Sequence, residues 1–321
     1  MLSDRSHLIK ASWLLLLIGF IVFPLTVDVE ASYAVTFLFQ TFLFVIISQG
    51  WNLVAGYAGQ VSLAQNAFLG VGAYATGIAW MAGWVGFLDY RAMFVSALAP
   101  AVLAIMVGIP LLSKLRGDYF ALGTLGLGEI LRVIFTQGGQ TTGGATGLLL
   151  PSSSYSSMMP YYYLALGMAV GSTIISWAIK RSRFGIALIS VREDEQAAAA
   201  CGVAVLWYKI FAFAVSAALT GLAGSLYAYN TFQVTPDDAF GLQWALFPVL
   251  MCIAGGVGTL SGPIIGSFLL SGLFYFTSLH LPRIHPLFSG AFIIILALWL
   301  PDGIMSLIPR RQVEVSSVPD A

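Results

Sequence analysis

Arg192-Glu193-Asp194-Glu195-Gln196-Ala197-Ala198-Ala199-Ala200-Cys201-Gly202 is the densest charge cluster in a chain of which only 9% is charged. It lies between two apolar stretches. Acids suit the positive N-terminal end of a helix, alanine has the best helix propensity and Gly202 is a natural stop, so the run predicts one short helix. It is too short and too polar to cross a bilayer. On general grounds a charge run is a solvated face, and the rest of the chain decides what this one faces.

Outward from this cluster the chain is apolar. Its 321 residues have a mean hydropathy of +0.89 and are 59% hydrophobic, well above the roughly 45–50% of soluble domains. The fold class expected is all-α, a polytopic transmembrane bundle. The 14 basic and 14 acidic residues cancel, so nothing points to nucleic acid, and membrane lipid is the expected surroundings. Glycine, at 34 residues, marks close helix approach and broken helices in membrane proteins. Cys201 and Cys252 form no disulfide framework. Arg5 to Lys10 followed by Trp13–Val27 resembles a signal peptide, but the run is long enough to cross and further spans follow at once, so a retained first helix is expected. One transmembrane domain over 1–311 and a short polar tail over 312–321 complete the organisation.

Hydropathy predicts spans near 12–30, 33–54, 60–82, 92–113, 118–136, 160–179, 206–230, 244–257, 260–279 and 286–308. Ten is the count, or eight if the glycine-rich gaps at 56–59 and 256–261 mark re-entrant or broken helices. With the N-terminus inside, Arg5, Lys10, Lys114, Arg116, Lys180, Arg181, Arg183, Arg192, Lys209, Arg310 and Arg311 fall on the cytoplasmic side. Only Arg91, Arg132 and Arg283 fall elsewhere, and Asp28, Glu30, Asp89, Asp237 and Asp238 fall outside. That bias predicts both termini, and the Arg192–Gly202 cluster, in the cytoplasm. Ala55–Ser62 and Ala254–Ser261 share an A-G-x-x-G-x-(V/L)-S pattern, which fits a repeat or convergent glycine turns. The count places both on one side, which does not suit an inverted repeat.

Polar residues inside spans are candidates for a translocation path. Gln60, Ser62, Gln65, Asn66 and Tyr74 form a stripe; Ser62, Gln65 and Asn66 share a helix face, and interhelical hydrogen bonds explain them equally well. Thr124, Glu129 and Arg132 belong to the 118–136 span. An unpaired charge near the midplane costs roughly 2.5–3.5 kcal/mol on the insertion scale, so Glu129 and Arg132 are expected to pair and to face protein or water. Ala217, Gly221 and Ser225, and in parallel Thr220, Gly224 and Ala228, form small-residue faces that suit close helix packing. Thr141–Gly147 reads as an external turn or docking loop. No lysine follows a glycine, so the phosphate-binding G-x-x-x-x-G-K-(S/T) loop is absent. His7, His280 and His285 stand apart from any ligand cluster. No cofactor is expected, and the chain reads as a conduit, not an enzyme.

Several blocks resemble the LivM-type permeases of bacterial high-affinity branched-chain amino acid ABC importers. Gly56-Tyr57-Ala58-Gly59-Gln60-Val61-Ser62-Leu63 is similar to that family's G-x-x-G-Q-(L/V)-S-L opening. Leu115–Arg132 is similar to its L-R-G-D-Y and T-L-G-x-G-E-I-x-R block, and Thr142–Leu148 to T-G-G-x-x-G-(I/L). The longest correspondence runs from Ser182-Arg183-Phe184-Gly185 through Arg192–Glu195, Gly202 and Lys209 to Ala223-Gly224, with Thr235-Pro236-Asp237-Asp238-Ala239-Phe240 beyond it. Ala64-Gln65 departs from the Gly-His of many relatives, which leaves the solute open.

The resemblance implies that Arg192, Glu193, Asp194, Glu195, Ala197, Ala198 and Gly202 belong to a coupling helix that grips an ATPase. It also implies a second homologous permease, two ATP-binding cassette subunits, a periplasmic substrate-binding protein and an inner-membrane location. Urea or short amides are alternative solutes. A lone ion-coupled carrier, using Glu129 or Asp118 as its protonation site, and a packing subunit that lines no passage are the other readings.

Overall fold

The computed structural model describes residues 15–30, 32–152, 155, 157–280, 290–292, 298–299 and 303–307. The expected 286–308 span lies largely outside these, and Arg283, His285 and the 312–321 tail lie wholly outside.

The helices whose bounds fall among the described residues are, in chain order, α1 (Leu15–Thr26), α2 (Tyr33–Asn52), α3 (Gln65–Met81), α4 (Tyr90–Lys114), α5 (Asp118–Gln137), α6 (Met159–Arg181), α7 (Arg183–Glu193), α8 (Glu195–Ala200), α9 (Val205–Thr231), α10 (Pro236–Ala239), α11 (Leu242–Gly255) and α12 (Gly262–His280). Among the described residues, seven helical stretches are long and apolar enough to cross a membrane: Tyr33–Tyr57, Tyr90–Lys114, Asp118–Gln137, Met159–Arg181, Val205–Thr231, Pro236–Gly255 and Gly262–His280. The chain is therefore a polytopic helical membrane protein. The third expected span starts later than its hydropathy suggests. α2 runs through a π-helical turn at Leu53–Tyr57, Ala58–Ala64 is non-helical, and α3 begins only at Gln65. Gly59, at φ +70°, makes that break.

The centre of the bundle is α9 with α3 and α4 against it. The two small-residue faces of α9 serve different neighbours. A Cβ on Gly221 would lie 2.0 Å from the Ser96 carbonyl oxygen of α4, and one on Gly224 would lie 2.3 Å from the Leu69 oxygen of α3. Backbones this close leave no room for a side chain, the geometry small residues permit in lipid. Phe68 on α3, Phe213 on α9 and Phe120 on α5 pack edge to face beside the crossing. α2 lies against α6, α9 and the α11–α12 hairpin. α1 is pinned to α6 where Tyr162 and Tyr163 hydroxyls donate to the Phe20 and Ile21 carbonyls at 2.8 and 3.0 Å.

Lys180 and Arg192 mark one end of the bundle and Glu30 the other. At one end Lys180 Nζ donates to the Gly258 oxygen at 3.0 Å and Arg192 Nη1 to the Gly56 oxygen at 2.8 Å. This is the basic end. At the acidic end Glu30 accepts from the Tyr155 hydroxyl at 2.7 Å and the Met158 N–H at 3.0 Å. Those two bonds, the Tyr155 hydroxyl first, hold the Glu30 carboxyl below its ordinary pKa. The Thr141–Gly147 turn is tied down: Leu148–Leu149 pairs antiparallel with Gln233–Val234, and Thr142 Oγ1 donates to the Phe135 oxygen at 2.6 Å.

Candidate functional site

The Arg192–Gly202 run is two helices, not one. Arg192 and Glu193 finish α7, and Asp194 stands between the helices with φ −156° and ψ 111°. Its carboxylate accepts from the Gln196 and Ala197 N–H groups at 2.8 and 3.0 Å and so caps α8. Aspartate is among the strongest N-caps, which outweighs a continuous helix through three acids. α8 then stops at Gly202, φ +85°, where Gly202 and Val203 N–H groups donate to Ala199 and Ala198 carbonyls. That closure is the usual left-handed glycine stop.

α8 turns Gln196, Ala197, Ala199 and Ala200 outward and Ala198 inward. Its outer face is nearly free of long side chains. Glu195 ties the helix back to the bundle. Its carboxylate accepts from Lys209 Nζ on α9 and, at 3.2 Å, from Gln60 Nε2 in the non-helical segment before α3. Arg192 is the second tie, through Gly56, and pairs with Glu193 at 3.6 Å.

Below α8 the two similar glycine segments meet. Asn52 Oδ1 accepts from the Gly258 N–H and its Nδ2 donates to the Thr259 oxygen, both at 2.8 Å. Gln49 Nε2 donates to the Leu260 oxygen at 2.9 Å. A Cβ on Gly56 would lie 2.7 Å from the Gly258 nitrogen. Both segments are thus on one end, in contact.

The polar stripe is closed inside the bundle, but Gln60 and Ser62 precede α3 in the non-helical segment, so Ser62 shares no helix face with Gln65 and Asn66. Gln65 donates to Ser216 Oγ at 3.1 Å and accepts from Thr220 Oγ1 at 2.6 Å, both on α9. Asn66 Nδ2 donates to the Phe240 carbonyl at 3.0 Å, while Trp51 Nε1 donates to the Ser62 oxygen at 2.8 Å. Thr124 Oγ1 accepts from the Leu63 N–H at 2.9 Å. Tyr74 is buried, stacked at 6.0 Å on Phe240, with no partner for its hydroxyl among the described residues. Phe240 follows α10, whose residues pack on α3 and α5, so the segment after α9 dips back into the bundle.

Glu129 and Arg132 pair, at 2.8 Å, and Arg132 also binds Asp237 of α10 at 2.9 Å. All three are exposed, with side chains 49%, 40% and 78% accessible. Sequence reasoning missed Asp237 as their partner and Lys209 as the partner of Glu195. Lys209 carried one signal, a cation inside an apolar helix, which needs a counter-charge.

The family described as "Branched-chain amino acid transport system / permease component" matches residues 33–297. The chain belongs to this family. Its relatives among branched-chain amino acid permeases include the high-affinity LivM of Salmonella typhimurium, 27% identical over 311 residues covering 87% of this chain and 71% of that one. The probable LivM of Methanocaldococcus jannaschii is 25% identical, covering 70% and 75%. The autoinducer 2 import permease LsrC of an Enterobacter species is 30% identical, covering 72% and 68%. No solved structure gives a significant match. The relatives are named as transport permeases, and the family is that of the permease component of a transport system.

Proposed function

We propose that this permease works in an ATP-driven importer of a bacterial inner membrane, with both termini cytoplasmic, passing branched-chain or related small amino acids delivered by a periplasmic binding protein. One observation carries the reading: α8 is a capped helix at the basic end whose outer face is small and exposed and whose inner face is bonded to the bundle. Small side chains let a partner approach closely, and Glu195 and Arg192 pass its displacement inward. Two ATP-binding cassette subunits are the partners proposed for this face.

A second homologous permease is proposed against α5. Glu129, Arg132 and Asp237 stand open on that side, and charges there need water or protein, not lipid. When the two subunits part or close, Gln60, Ser62, Gln65, Asn66, Tyr74, Thr124, Glu129 and Arg132 are the proposed residues of the path. The LsrC relative favours a second reading of the cargo, a small polar solute such as autoinducer 2 in place of an amino acid.

The test is purification of the tagged chain with its neighbouring gene products, followed by uptake in proteoliposomes. Two ATPase subunits are expected to co-purify, and Ala197→Trp is expected to release them while the permease stays folded. Uptake of labelled leucine is expected to require enclosed ATP and to survive an uncoupler. Uptake that collapses with the uncoupler while ATP remains high would assign the chain to ion-coupled carriers.

A further inference from the structure

The Lys209 side chain is only 4% accessible, near the basic end of α9, and the carboxylate it meets belongs to Glu195, 32% accessible, at the first position of α8. The same Glu195 oxygen accepts from Gln60. One oxygen atom therefore joins α8, α9 and the bend between α2 and α3. The bend is held a second time, because Arg192 bonds Gly56 and a Cβ on Gly59 would lie 2.9 Å from Arg192 Cγ. Gln60 opens the buried polar stripe, which at Gln65 rejoins α9 through Ser216 and Thr220. α8, α9 and the bend form a closed loop of contacts: any displacement of α8 must pull on α9 and on the bend together.

We infer that Lys209 and Gln60 are positioning residues of the transport cycle, which transmit displacement of α8 to α9 and to the α2–α3 bend through the Glu195 carboxylate. The inference rests on the importer reading and deepens it by naming the mechanical link. A buried ammonium and a half-buried carboxylate hold at short range and resist shear, whereas a water-exposed pair would slip. Gln60 adds direction, since its amide fixes which part of the bend moves. α9 carries the motion on to α3 and α4, where Gly221 and Gly224 let the backbones touch.

The test uses the full complex of permeases, ATPases and binding protein in proteoliposomes, reading solute molecules imported per ATP hydrolysed. Lys209→Met is expected to lower that ratio at least tenfold while the ATPase subunits stay attached. The exchange Glu195→Lys with Lys209→Glu is expected to recover it to within about threefold of wild type, and thermal unfolding of the assembled Lys209→Met complex within a few degrees of wild type separates the lost ratio from lost stability. Gln60→Ala keeps the ion pair, so it tests the link without a risk to folding, and is expected to lower the ratio at least threefold. A wild-type ratio in Gln60→Ala, or in an assembled Lys209→Met complex, overturns the inference and leaves the importer reading intact. A wild-type chain that recruits no ATPase overturns both.

Discussion

Gly221→Ala tests the packing on which every helix movement depends. The new Cβ would sit 2.0 Å from the Ser96 oxygen and 2.6 Å from Pro100 Cγ of α4. On another side of the same crossing, a Cβ on Gly72 would lie 2.4 Å from the Gly221 oxygen, so α3 blocks any retreat of α9 in that direction. Real Cβ contacts below 3.0 Å are essentially unknown, so α4 and α9 must separate by about 1 Å. A gap of that size forfeits a quarter to a half of each dispersion contact along the crossing, and overpacking of this kind costs about 1–3 kcal/mol. Alanine returns about 1 kcal/mol of helix propensity over glycine. The net expectation is a loss of up to about 2 kcal/mol, or up to roughly 3 °C in Tm for a chain of this size. Gly126→Ala on α5 is the control: nothing lies within 4 Å of its Cβ, and the same propensity gain makes it neutral or stabilising. Thermal unfolding of both variants in detergent, followed by near-UV dichroism, separates them. If Gly221→Ala gains as much as Gly126→Ala does, the close crossing of α4 and α9 is wrong.

Two further outcomes are expected. Glu30 has a folded pKa below its unfolded value because Tyr155 and Met158 donate to the carboxylate. Its contribution is present above the unfolded pKa and is lost as pH falls through the folded one; protection from hydrogen exchange near Tyr155–Met158, taken relative to the intrinsic rate at each pH, should therefore fall as pH drops below about 4, and Glu30→Gln should abolish that fall. Arg132→Ala breaks exposed ion pairs with Glu129 and Asp237, which are worth less than about 1 kcal/mol each. Its melting temperature should stay within about 2–4 °C of wild type, whereas leucine uptake in proteoliposomes should fall at least tenfold; unchanged uptake would remove α5 from the path.

The span pattern was readable because hydropathy reports lipid burial directly, and each of the first nine expected spans contains a helix. The break at Ala58–Ala64 was only half readable. Its glycines were visible, but the apolar run through Val61 and Leu63 masks a backbone that is held by Trp51 and Thr124 side chains from other helices. The fall of α10 and Phe240 into the bundle left no hydropathy signal, since Thr235-Pro236-Asp237-Asp238 reads as an ordinary outer loop. Splitting of the Arg192–Gly202 run turned on one side chain, Asp194, choosing a cap over the helix interior. Likewise the polar stripe of α3 was evident, while its closure against Ser216, Thr220 and Phe240 depends on contacts more than 150 residues away. Periodicity finds faces; it does not find which face of which helix lies opposite.

Cys201 offers the most direct measurement. It is exposed at the end of α8, and the other cysteine, Cys252, is buried, so the native chain carries one reactive label site. A membrane-impermeant maleimide should modify Cys201 in inside-out vesicles and not in intact cells stripped of their outer membrane, and a short thiol-to-amine cross-linker should join Cys201 to an ATPase subunit. Labelling from the periplasmic face, or cytoplasmic labelling with no ATPase captured in the assembled transporter, would contradict the assignment of α8 as the element a motor grips.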